Sequence, residues 1–262
     1  MSLVFAAITP HPPIIIPTIG KENIGQLKAT IDGFKKLEEQ LYSSKVETIL
    51  IISPHGLVQS HAFSMNLSPE FLLEFTEFGD FATKHTMAGD VGLAHRMREA
   101  LETAAPVQLI SQPRLDYGSS VPLFVLAKSM PHIKIIPLYY SGLSLEEHFK
   151  FGQQLKSEIL YSQNRIAVIA SGDLSHKLSQ NAPGGYSPKA AKFDQKIIDI
   201  LIQKQSDEIL RLSEQQITEA CECGLKSIVT LLGILDGINY EPQRISYESP
   251  FGVGYLVMNF RL

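Results

Sequence analysis

RIAVIASGDLSHKL, residues 165–178, runs five apolar or small residues, Ile166 to Ala170, straight into a polar loop that carries Asp173 and His176. A short β-branched run with no polar alternation predicts a strand buried on both faces, and such strands belong to parallel sheets covered by helices. Working outward, LVFAAI (3–8), ETILIIS (47–53), VQLI (107–110) and IKIIPLYY (133–140) repeat the pattern and are expected as buried strands. Helical periodicity fills the segments at 23–43, 89–104, 119–130 and 145–162 between them. The alternation predicts one α/β domain over residues 1–262, with a central, mostly parallel sheet flanked by helices on both faces. The last third changes character: helical patterns at 187–203, 206–216 and 217–237 precede two expected antiparallel strands, INYEPQRISYES (238–249) and GVGYLVMNF (252–260).

With 262 residues and 44% hydrophobic side chains, the chain can bury a large core. Lys plus Arg is 23 against 27 for Asp plus Glu, a net charge of −4 with no basic run, which argues against a nucleic-acid partner. The start, MSLVFAAITPHPP, has neither a basic leader nor a small-residue cleavage site, and no stretch reaches the roughly eighteen apolar residues of a membrane span. The expectation is a cytoplasmic protein without a membrane partner, with a homo-oligomer left open. The two cysteines, Cys221 and Cys223, are too close in sequence for an unstrained disulfide and are read as reduced thiols.

In open α/β sheets ligands bind beyond the carboxyl ends of the strands. His11 follows the first expected strand, held between Pro10 and Pro12; His55 follows the second in SPHG; Asp173 and His176 follow a later one. Asp116 and Tyr117 open the loop before the helix at 119–130. Taken singly, each histidine has an ordinary reading as a loop or capping residue. Their coincidence on one rim is harder to set aside, because two histidines with one anionic ligand make an open metal site, and imidazole suits Fe, Zn and Cu. The third ligand is sought in ITEACECGLKS (217–227). On one continuous helix Cys221 falls on the buried stripe with Ile217, Ile228, Leu232 and Leu235, while Glu222 and Cys223 fall to either side and both remain candidates. The other histidines, at 61, 85, 95, 132 and 148, are read as surface or core residues.

ITPHPPIIIPTIG (8–20), ISPHG (52–56), LDYGSSVPL (115–123), SGDLSHKL (171–178), ECGLKSIVTLLG (222–233) and SPFGVGYLV (249–257) together resemble the LigB-like catalytic subunits of class III extradiol ring-cleavage dioxygenases. More narrowly, they resemble the bacterial branch related to Memo-type and AmmeMemoRadiSam-system proteins. The resemblance implies His11 and His55 as metal ligands, with Fe(II) the first expectation and Zn or Cu as alternatives. It implies a third ligand in the ECG segment, matched by Glu222 for extradiol enzymes and by Cys223 for Memo-type proteins. His176 matches the acid/base toward a substrate hydroxyl, with Asp173 its companion in GDxxH. One departure stands out: the family loop reads DHG, and here Tyr117 replaces the histidine. Tyrosine, with an ordinary pKa near ~10, supplies no cation at neutral pH. Two readings follow: a non-haem metal-dependent extradiol oxidoreductase acting on a small catecholic aromatic, or a Memo-like metal-binding redox protein that leaves rings intact.

Overall fold

Residues 2–262 are described by a computed structural model; Met1, the first residue of the expected domain, lies outside the described residues. In chain order the strands are β1 (Leu3–Thr9), β2 (Thr48–Ser53), β3 (Phe63–Asn66), β4 (Glu70–Phe75), β5 (Asp80–Gly89), β6 (Val107–Ile110), β7 (Lys134–Tyr139), β8 (Ile166–Ser171), β9 (Glu241–Glu248) and β10 (Tyr255–Arg261). The α-helices are α1 (Pro17–Gly20), α2 (Lys28–Ser43), α3 (Val91–Leu101), α4 (Tyr117–Leu126), α5 (Leu145–Tyr161), α6 (Ala190–Gln203), α7 (Ser206–Leu210), α8 (Glu214–Ala220) and α9 (Leu225–Leu235).

Among the described residues the strands form one mixed sheet in the order β4-β5-β7-β2-β8-β1-β10-β9, with β3 and β6 branching from β7. Its centre is parallel, as the uninterrupted apolar runs predict: β2 pairs in parallel with both β7 and β8, and β8 with β1. Successive residues of these strands feed opposite cores. Ile49 and Ile51 of β2 join Phe34, Leu37 and Val121 on the face covered by α2 and α4, while Leu50 and Ile52 join Met97, Leu155 and Ile228 on the face covered by α3, α5 and α9. Burial on both faces is what removes the polar alternation from the sequence.

Four expectations need correction. VQLI forms a strand, β6, but an edge one that pairs only with β3 and is partly exposed. The segment at 217–237 is two helices rather than one: α8 ends at Cys221, whose left-handed φ of 54° caps it, and α9 begins at Leu225. Cys221 is therefore exposed, not core, because the break resets the helical phase that had aligned it with Ile228 and Leu232. The segment at 206–216 likewise divides between α7 and α8, where Ser213 starts α8 with a capping box.

Candidate metal centre

The parallel strands β1, β2 and β8 end side by side, so the loops after Thr9, Ser53 and Ser171 converge. His11 stands between β1 and a short 3-10 turn, Pro13–Ile15, with Pro12 held extended at φ −65° and ψ 121°. It is only 2% exposed. Its backbone N–H donates to Asp173 Oδ1 at 3.0 Å, and its ring Nδ1 lies 2.9 Å from Ser171 Oγ. Ser171 Oγ donates its own proton to the Gly118 carbonyl, so it must accept from His11 Nδ1–H. That assignment leaves a bare lone pair on His11 Nε2.

Around that lone pair the other candidates gather. His55 Nε2 lies 3.0 Å from His11 Nε2, and Cys223 Sγ lies 3.6 Å from it. The donor atoms of His11, His55 and Cys223 all fall within 4.8 Å of one another, as do those of Asp173, His176 and Cys223. Burial, reinforced for His55 by His11 and for both by His176, lowers each of these two imidazole pKa values to about 3, so both rings are neutral and ligand-ready at pH 7.

The break between α8 and α9 delivers Cys223. Asp173 O accepts from the N–H groups of Cys223 and Gly224 at 3.3 and 3.0 Å, and Asp173 N–H points back at Cys223 Sγ at 3.3 Å. This backbone exchange requires close approach: a methyl group on Gly172 would lie 2.1 Å from Gly224 Cα. Glu222 turns the other way. Its carboxylate accepts from Leu225 N–H and lines a separate cleft with Leu143, Leu212 and Lys226, where burial pushes its pKa up to about 7. It is not among the donors grouped with His11 and His55. Burial likewise drives the Cys223 thiol and the Asp173 carboxyl above their ordinary values.

His176 closes one side. Its backbone N–H donates to Ala220 O, and its ring Nδ1 is buried with no hydrogen-bond partner among the described residues. Tyr117 opens α4, where Asp116 caps the helix by accepting from Ser119 N–H at 2.9 Å. The Tyr117 hydroxyl lies 2.9 Å from His55 Nε2. The loop leading to β10 ties the GDLSH loop down: Leu174 N–H donates to Gly254 O, Gly254 N–H to Ser175 O and Leu178 N–H to Gly252 O.

The spacing fits a metal ion. Two nitrogens about 2.0–2.1 Å and a sulfur about 2.3 Å from one ion stand roughly 2.9–3.4 Å (N to N) and 3.1–3.6 Å (N to S) apart over bond angles of about 90–109°. The observed 3.0 and 3.6 Å fall in those ranges. Two supporting residues stand outside the candidate motifs, Ser171 under His11 and Ser53, which accepts from His55 N–H and donates to Asp116. The signal was available: each ends its strand with a serine directly before a histidine- or aspartate-bearing loop. His148 is buried and spends both ring nitrogens on the backbone of Ser141 and Ser144, a structural role.

This fold and this loop cluster are those of a known family. Residues 5–258 match the family described as the catalytic LigB subunit of aromatic ring-opening dioxygenase, and the chain belongs to it. A relative from Clostridium acetobutylicum, Protein CA_C1420, is 29% identical over 98% of this chain, which spans only 57% of that protein's length. The 3,4-dihydroxyphenylacetate 2,3-dioxygenase of Escherichia coli is 25% identical, covering 90% of this chain and 91% of its own. The 4,5-DOPA dioxygenase extradiol of Portulaca grandiflora is 28% identical over 68% of this chain and 65% of its own. The crystal structure of the uncharacterized protein JW3007 from Escherichia coli K12 shares the fold, with a TM-score of 0.71 at 18% identity over 98% of this chain and 99% of that one. No helix among the described residues is long and apolar enough to cross a membrane.

Proposed function

We propose that the chain is a metal-dependent oxidoreductase of the extradiol type, in which His11, His55 and Cys223 hold one divalent ion and the substrate is a small aromatic, with ring opening of catechols slow or absent. One observation carries this reading: Cys223 Sγ, and not the Glu222 carboxylate, lies beside His11 Nε2. Thiolate favours softer metals than the carboxylate usual in Fe(II) oxygenases. When bound, the ion supplies Lewis acidity, lowering the pKa of a phenol and gathering reactants. The residues do the rest. Ser171 fixes the His11 tautomer, the Asp173 N–H steadies the sulfur, and His176, whose Nδ1 has no protein partner among the described residues, moves a proton at the substrate hydroxyl. Tyr117 offers a neutral hydroxyl where the family places a histidine. A thiol ligand needs reducing surroundings, which supports a cytoplasmic location.

Brisk cleavage of a catechol with Fe(II) is the second reading. The grouping of Asp173 with His176 favours it, as do the names of the Escherichia coli and Portulaca relatives. Metal content after anaerobic purification, followed by oxygen uptake on a catechol panel at matched iron loading, separates the two. The expected result is about one ion per chain, little uptake by the natural protein and faster uptake by Tyr117→His. Fast turnover by the natural protein, slowed in Tyr117→His, transfers the conclusion to the second reading; failure to bind metal in stoichiometric amount ends both.

A further inference from the structure

Tyr117 and His55 share more than one hydrogen bond. Their rings stack, with centroids 4.2 Å apart and planes only 21° from parallel. In a stack the tyrosine oxygen lies largely above the imidazole plane, away from the in-plane axis of the Nε2 lone pair where a hydrogen bond is strongest. The two atoms lie 2.9 Å apart, and His11 Nε2 is 3.0 Å from the same His55 nitrogen, so three potential donor atoms crowd around one point. The tyrosine ring is fixed there. Phe78 packs edge-on against it at 5.3 Å, and Asp116 pins the helix start that carries it.

Counting protons sharpens the point. His11 Nε2 bears a lone pair, because its Nδ1–H is donated to Ser171. If His55 Nε2 is also bare, two lone pairs face each other across 3.0 Å. If it carries the proton, that N–H goes to His11 Nε2 and the Tyr117 oxygen beside it receives nothing from the histidine pair. A cation at the same point would serve all three atoms at once, where a single proton serves two of them.

We propose that the Tyr117 oxygen is a fourth protein donor to the ion held by His11, His55 and Cys223. This rests on the metal site proposed above and extends it. On binding, the O–H bond breaks, the oxygen keeps the electron pair for the metal, and the proton leaves to buffer. The consequence is a count of positions. Of roughly six around an octahedral ion, three protein donors leave three, enough for a chelating diol and a co-reactant. Four leave two, which a diol fills alone. The tyrosine thus gives a coordination reason for poor ring opening, separate from its inability to supply a positive charge.

The test loads the anaerobically purified full chain with Fe(II) and oxidises it with ferricyanide, which takes one electron per iron. Visible absorption and resonance Raman are then read alongside iron content. The expected result is a phenolate-to-Fe(III) charge-transfer band with tyrosinate ring modes in the natural protein, both lost in Tyr117→Phe. Iron should remain near one per chain at saturation, with affinity lower by on the order of tenfold. Any thiolate band should persist in Tyr117→Phe and vanish in Cys223→Ser. Stoichiometric iron with no tyrosinate modes, or with modes that survive Tyr117→Phe, overturns the fourth donor while leaving the three-ligand site standing. Iron bound to neither protein overturns the metal site itself.

Discussion

Asp173 and Cys223 are joined by reciprocal backbone contacts: the Asp173 N–H points at the cysteine sulfur at 3.3 Å, and the Asp173 carbonyl accepts the Cys223 N–H at 3.3 Å. Fifty residues apart in sequence, they lock the loop after β8 onto the break between α8 and α9. The placement of the sulfur thus depends on main chain rather than on side-chain packing.

The ligand set makes the first prediction. His11→Ala, His55→Ala and Cys223→Ser should each lower metal affinity far more than the roughly tenfold expected for Tyr117→Phe, since each removes one of the three donors on which the site is built, while Glu222→Gln keeps it. Metal content by elemental analysis decides, with circular dichroism to confirm folding. A Cys223→Ser variant that retains full metal beside a Glu222→Gln variant that loses it would hand the third position back to Glu222.

The glycine contact makes the second. Gly172→Ala puts a methyl where Gly224 Cα stands only 2.1 Å away, and two backbones have no rotamer with which to yield. Overpacking of this kind costs about 1–3 kcal/mol, and the loop that moves carries Cys223. Thermal unfolding should drop by several degrees and metal affinity should fall with it. A variant with wild-type Tm and wild-type affinity would show that the two loops are not held in register by this contact.

Ser171 stands one step behind the proposed metal site. Ser171→Ala removes the acceptor that fixes the Nδ1–H tautomer of His11. Loss of such an outer partner typically weakens metal binding by roughly 10–100-fold. Competition with a chelator at fixed pH reads this out, and unchanged affinity would mean that the backbone alone orients the ring.

Asp194 gives the pH dependence. It is buried, accepts from Ser175 N–H and the Tyr247 hydroxyl, and burial raises its pKa from 3.8 to about 6. Between those values the folded state keeps a proton that the unfolded state releases, so the contribution of Asp194 to stability falls as pH rises from about 4 to about 6 and then levels off. The loss is on the order of 2–3 kcal/mol. Asp194→Asn should make that segment of the profile shallower, the raised Asp173 and Glu222 carboxyls supplying the slope that remains, measured by denaturant unfolding with chelator present. A slope as steep as in the natural protein would assign the titration elsewhere.

How much of this was legible in the sequence depends on what each residue faces. The strands β1, β2, β7 and β8 are buried on both sides, so their apolar runs announce themselves, and His11 and His55 inherit their positions from the strand ends. The strands β4 and β5 lie at the sheet edge, with β5 largely outside the core, and left no comparable run. The break at Cys221 was hidden because apolar residues continue on both sides of it, and a window spanning the two helices averages their phases into one. Which of Glu222 and Cys223 faces His11 depends on that break. Adjacent residues outside a helix can point in opposite directions, and periodicity has no information there.

The clasp between the loop before β10 and the GDLSH loop, through Gly254 and Gly252, has a consequence for how the site comes into being. A nascent chain carries His11, His55, Asp173, His176 and Cys223 well before it carries Gly254, yet that clasp and the β1–β10 pairing need the last strand. For the metal site proposed above, capture of an ion should therefore await the pairing of β10 and coincide with folding of the domain instead of preceding it.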